Sequence, residues 1–173
     1  TVVRINGLDT PFGNDDVEAM VRAKPDIIRL PKTEKPEDIE TIDRILTETE
    51  KQAGVAPGAI KLFAAIESAR GVVNAYKIAN SSERLVGIAF GAEDFVTNMH
   101  TNRSKTGTEL FTARQEILLA ARAAGLHAVD TVFSDISDDE GFRKEVELIK
   151  NMGYDGKSVI NPRQVGIVHS IYM

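Results

Sequence analysis

Short apolar runs alternate along this chain with segments of helical periodicity, and that alternation limits the fold more than any other feature. The runs lie at Val2–Ile5, Asp26–Leu30, Ile60–Ile66, Leu85–Phe90, Ala128–Phe133 and Ser158–Ile160. Their near-continuous apolar character suits strands buried on both faces, as in parallel sheets. Strands alternating with helices imply a parallel sheet covered by helices. About six βα units can be read from the pattern. A closed (β/α)8 TIM barrel needs eight units and typically ~250 residues, whereas this chain has 173. It also opens without an initiator Met, directly on the strand pattern Thr1-Val2-Val3-Arg4-Ile5. The expectation is therefore one domain over residues 1–173: an N-terminally truncated, incomplete barrel lacking its first two units. A complete doubly wound open sheet is the alternative.

The helical segments carry their own punctuation. Asn14 can cap a helix through Val21, with Asp15 and Asp16 at its positive end and Pro25 blocking continuation. Pro36 suits a first-turn position for a helix that presents Ile39, Ile42, Ile45 and Leu46 on one face and stops near Gly54. Further helices are expected over Gly71–Ala79, Glu109–Ala124 and Asp139–Met152, and from Pro162 to the C-terminus. The Asp139–Met152 helix should bury Phe142, Val146, Leu148 and Ile149.

Composition excludes several classes of partner. A net charge of −5 without a Lys/Arg cluster argues against nucleic acid. No apolar stretch approaches the roughly 18 residues of a membrane span, so no membrane partner is expected. With no cysteine there is no disulfide framework or thiolate chemistry, and a reducing compartment, the cytoplasm, is allowed.

Parallel αβ folds collect functional groups at the carboxyl ends of their strands. Reading those positions gives Arg4 and Asn6, Arg29 and Lys32, Glu67, Glu93 and Asp94, Ser134 and Asp135, and Asn161. Glu67 and Asp94 each appear where an apolar run stops. Two converging carboxylates with no cysteine suggest a hard divalent cation, magnesium, with positions left for water and a bidentate substrate. The competing explanation for each acid alone is a helix cap or a surface turn. Glu93 is the weaker neighbour, because acids are favoured in a first helical turn anyway. The small-residue turn Gly91-Ala92 would expose backbone N–H groups to a carboxylate or phosphate, unless it is only a tight βα turn. Arg4, in a barrel mouth, either stabilises developing negative charge or pairs with one of these acids. Lys32 has a weaker case, and Asn161 beside Pro162 can equally cap the last helix. His100, His127 and His169 are scattered singly, and no Walker A loop, Gly-x-Gly-x-x-Gly or zinc motif occurs.

Five motifs follow one another in order: Val2-Val3-Arg4-Ile5-Asn6, Ile28-Arg29-Leu30-Pro31-Lys32, Ala65-Ile66-Glu67-Ser68-Ala69, Gly91-Ala92-Glu93-Asp94, and Lys157-Ser158-Val159-Ile160-Asn161-Pro162-Arg163-Gln164. Together they resemble the citrate lyase β-subunit family, within the malyl-CoA lyase and malate synthase-like aldolase superfamily. The resemblance covers essentially the whole chain and implies a (β/α)8 barrel. It implies a magnesium-dependent carbon–carbon lyase that cleaves a citryl thioester, on acyl carrier protein or CoA, to oxaloacetate and an acetyl thioester. It further implies Glu67 and Asp94 as metal ligands and Arg4 facing the reacting carbonyl. Backbone groups around Gly91, Ala92, Glu93 and Asp94, together with Asn161, would contact substrate. Other citrate lyase subunits and further copies of the chain are the implied partners. The family's first two strands, with an acidic pair after the second, have no counterpart in these residues. A malyl- or citramalyl-CoA lyase, or a non-catalytic docking subunit, are the rival readings.

Overall fold

The computed structural model describes residues 1–173 and contains one sheet of six parallel strands in sequential order. The strands are β1 (Val2–Arg4), β2 (Ile27–Leu30), β3 (Lys61–Ile66), β4 (Leu85–Phe90), β5 (His127–Asp130) and β6 (Gly156–Lys157). The helices are α1 (Gly13–Ala23), α2 (Pro36–Gln52), α3 (Ala69–Val73), α4 (Ala75–Ala79), α5 (Ala92–Asn98), α6 (Thr108–Ala123), α7 (Asp139–Met152) and α8 (Pro162–Tyr172). A doubly wound sheet reverses its strand order at a switch point. No reversal occurs here, and the six strands form a half-barrel. The incomplete-barrel expectation is met and the open-sheet alternative is not.

Side-chain alternation divides the sheet into two faces. Ile28, Leu30, Leu62, Ala64, Ile66, Ile88 and Phe90 belong to one continuous core with Val17, Ile39, Ile42, Leu46, Ile78 and Ile117 from the helices. The opposite face is concave and sparse. It carries Arg4, Arg29 and Phe63, which lie in register across β1, β2 and β3, then Ala65 further along β3 and Glu67 just past its end. Gly87 follows Phe63 in register on β4. A Cβ there would sit 1.9 Å from the Phe63 ring, so the ring can lie across β4 only because Gly87 has no side chain.

Several boundaries differ from the sequence expectation. The fifth strand ends at Asp130 rather than Phe133, because Asp130 turns back to pair with α6 and β6. The sixth lies at Gly156–Lys157, ahead of the apolar Val159-Ile160, and Ile160 is about half exposed. The segment 71–79 forms two short helices that meet at Asn74, whose side chain donates to the Glu34 carbonyl. Leu148 faces solvent, whereas Phe142, Val146 and Ile149 are buried as expected.

Candidate functional site

The carboxyl end of β3 and the start of α5 bring Glu67 and Asp94 together. β3 and β4 pair in register as far as Ile66 and Phe90, so Glu67 and Gly91 leave the sheet side by side. Gly91 donates its N–H to the Ile66 carbonyl at 2.9 Å. Its missing side chain matters: a Cβ would lie 2.6 Å from Glu67 Cγ, where the Glu67 side chain now passes. One turn of α5 then places Asp94 against it.

The pair is electrostatically unsatisfied. Burial raises the Glu67 carboxyl above its ordinary value, and the close Asp94 carboxylate raises it further. Arg29 and the backbone amide of Lys32 oppose the rise without overcoming it. Asp94 is more than half exposed, and its one ion pair is with Lys32 at 3.7 Å. Lys32 itself has a left-handed backbone, φ 49°, directly after Pro31, an uncommon state for a residue with a side chain. Two carboxylates that repel one another are what a divalent cation relieves. No group of three or more His, Cys, Asp and Glu side chains is placed so that it could hold a metal ion. A pair alone does not suit a closed structural zinc site, but it suits magnesium, which commonly takes one or two carboxylates and fills its octahedron with water and substrate. The residues present fit that ion.

A cavity of about 320 Å³ lies beside the pair and is lined by Arg4, Arg29, Glu67, Gly91, Glu93, Asp94, Thr131 and Ser158, among others. Arg4 lies at its mouth, exposed and without a carboxylate partner. Arg29 stands between Arg4 and Glu67. Burial lowers its pKa; Glu67 counters that, and the neighbouring Arg4 charge adds to it. The Arg29 Nε is buried without a hydrogen-bond partner. The sequence already put Arg29 at a strand end, but only its register with Arg4 and its nearness to Glu67 distinguish it from a surface arginine.

The remaining candidate residues divide. The Ala92 N–H is taken by the Thr131 hydroxyl at 2.9 Å, and Gly91 is held by the sheet, so neither amide is free for a ligand. The amides left open in the first turn of α5 are those of Glu93 and Asp94. Thr131 was not picked out from the sequence; a threonine just past a strand end carries no distinctive signal there. The Glu93 side chain accepts from Arg103 and Ser134, both at 2.8 Å, and therefore braces α5. Asn161 does not line the cavity; it caps α8, accepting from the Arg163 N–H at 3.0 Å.

Comparison with known proteins places the chain in a family. A family model described as HpcH/HpaI aldolase/citrate lyase matches residues 1–162. The chain is 53% identical over 171 residues to citrate lyase subunit beta of Leuconostoc mesenteroides subsp. cremoris, covering 99% of this chain and 57% of that protein. The chain thus spans a little over half the length of this curated relative. Among solved structures, RipC from Yersinia pestis superposes with a TM-score of 0.89 at 29% identity, covering 99% of this chain and 76% of that one. The citrate lyase beta subunit of M. tuberculosis, complexed with oxaloacetate and magnesium, superposes with a TM-score of 0.82 at 32% identity, covering 99% and 72%.

Proposed function

Because this chain belongs to the HpcH/HpaI aldolase/citrate lyase family, we propose that it carries the metal and keto-acid site of a citryl-thioester lyase. The reaction is the magnesium-dependent cleavage of a citryl thioester to oxaloacetate and an acetyl thioester. The observation that carries this reading is the meeting of Glu67 and Asp94, two mutually repelling carboxylates beside two arginines. The 53% identity to a citrate lyase β subunit favours citryl over malyl substrates.

Glu67 and Asp94 would hold the magnesium. When bound, the ion supplies Lewis-acid polarisation of the keto-acid oxygen and neutralises developing charge. Arg4 directs a guanidinium at the cavity mouth, where it stabilises oxyanion character on the alkoxide or on the thioester enolate. The open Glu93 and Asp94 amides offer donors to a substrate carboxylate. Glu93 keeps α5 in place through Arg103 and Ser134. The same reading expects a citryl group on acyl carrier protein or CoA, contact with other citrate lyase subunits and further copies of the chain, and a cytoplasmic setting. No helix is long and apolar enough to cross a membrane.

Calorimetric titration with magnesium and oxaloacetate tests the site, and product analysis with citryl-CoA tests the reaction. Glu67→Ala and Asp94→Ala should each abolish magnesium-dependent binding and cleavage. Near-normal magnesium affinity or turnover in either variant would remove the metal assignment. Pyruvate or glyoxylate as product would move the chain to another aldolase of the family.

A further inference from the structure

The concave face carries more positive charge than its own acids can neutralise once a cation is bound. Five ionisable side chains line the cavity: Arg4, Arg29, Glu67, Glu93 and Asp94. Glu93 is already committed to Arg103 and Ser134. A divalent cation would occupy Glu67 and Asp94. Arg4 and Arg29 would then face the cavity with no protein carboxylate between them, and Arg29 Nε is already buried and unpaired. Neighbouring parallel strands lie about 4.8 Å apart, so side chains in register share a face and a neighbourhood. Arg4 and Arg29 are such a pair, and Glu67 lies just past the end of the next strand, on the same face as Phe63, the register partner of Arg29.

We propose that Arg29 is a specificity residue that binds the second, distal carboxylate of a dicarboxylic 2-keto acid. The inference rests on the reading of Glu67 and Asp94 as the metal site. A 2-keto acid held at that metal site would spend its first carboxylate there. A dicarboxylic acid such as oxaloacetate has one anion left, and Arg29 stands beside Glu67, within the same cavity. The planar guanidinium fork matches a carboxylate through two parallel hydrogen bonds, which a lysine cannot reproduce. A monocarboxylic keto acid such as pyruvate leaves that fork empty. Sites built to hydrogen-bond a substrate group discriminate strongly against analogues lacking it, because their own polar atoms are then stranded. In the free protein Arg29 lines the cavity and makes no ion pair with any protein carboxylate, which leaves its fork unspent. Arg4, exposed at the rim, is left for the reacting oxygen.

The test is isothermal titration of the purified chain with magnesium plus oxaloacetate, and separately with magnesium plus pyruvate. Arg29→Gln should lower the ratio of oxaloacetate to pyruvate affinity by roughly 100-fold, the loss of one charge-assisted fork; any change in magnesium affinity from removing the charge beside Glu67 acts on both keto acids alike. Arg29→Lys should fall between. A measurement on the unaltered chain guards against misfolding of the variants: the ester of the distal carboxylate of oxaloacetate should bind as weakly as pyruvate. Equal weakening of oxaloacetate and pyruvate in Arg29→Gln would overturn the proposal, leaving Arg29 as a support for Glu67. An ester that binds as tightly as oxaloacetate would overturn it too. If the unaltered chain binds no keto acid in the presence of magnesium, the metal-site reading itself fails, which is a different result from an Arg29 variant without effect.

Discussion

Glu67 and Asp130 are acids at or just beyond the ends of two strands of one sheet, yet they meet opposite environments. Asp130 is fully buried on the helical side. Arg114 donates to it bidentately, both bonds 2.9 Å, and Lys157 adds a third at 2.8 Å. Glu145 closes the cluster, accepting from Lys157 at 2.6 Å and pairing with Arg114 at 3.2 Å. Burial opposes ionisation of Asp130, but the two cations outweigh it and hold its carboxyl below the usual range. Glu67, on the concave side, faces another carboxylate and is raised. A buried charge with complete partners is architecture. A partly buried charge left with a like neighbour keeps unspent electrostatic energy for a ligand.

This contrast sets the largest expected difference. Asp130→Ala should lower stability by about 3–5 kcal/mol, since it strands two buried cations, and a denaturant midpoint reads the loss. Glu67→Gln removes a repulsion and should leave the midpoint unchanged or raised, while abolishing magnesium binding. Equal destabilisation by the two variants would erase the distinction between the regions.

Gly91→Ala comes next. Its methyl group must displace the Glu67 side chain from its present path. Magnesium affinity should drop by about 10-fold, the scale of losses when a ligand's support is disturbed, with a stability cost of about 1–3 kcal/mol for overpacking. Unchanged affinity in calorimetry would mean that Glu67 need not pass through that gap.

The pH dependence of stability should carry both signs. For Asp130 the folded pKa is depressed, so its contribution is complete above the ordinary 3.8 and is lost as pH falls through the folded value. For Glu67 the folded pKa is raised, so its contribution is complete below the ordinary 4.5 and is lost as pH rises through the folded value. Thermal melts of Glu67→Gln should lack the second slope and keep the first. Loss of both slopes would show that the two clusters titrate as one.

The smallest effect belongs to Lys32→Ala. Its contact with Asp94 is long and exposed, so stability should change by less than about 1 kcal/mol. Magnesium affinity should hold or rise, as a competing cation is gone; a marked loss in the same titration would make Lys32 part of the site.

Local pattern alone carried much of this protein. The apolar runs that became β1 to β4, the helix Asp139–Met152, Pro36 at a helix start and the pair Glu67 and Asp94 were all legible, because each follows from periodicity, caps or an acid placed where a run ends. Strand ends were less legible. Val159-Ile160 looks like a strand, but the ladder runs through Gly156 and Lys157, where β5 supplies carbonyls. Ala92 looked open for a ligand because nothing nearby in sequence announces Thr131, 39 residues away. Arg29 looked like any strand-end arginine. Its meaning comes from lateral register, which sets who stands beside whom across strands, and register is a property of the assembled sheet. A chain's own order determines which side chains reach the rim. Packing between distant segments decides which of them are already paired there and which still await a partner.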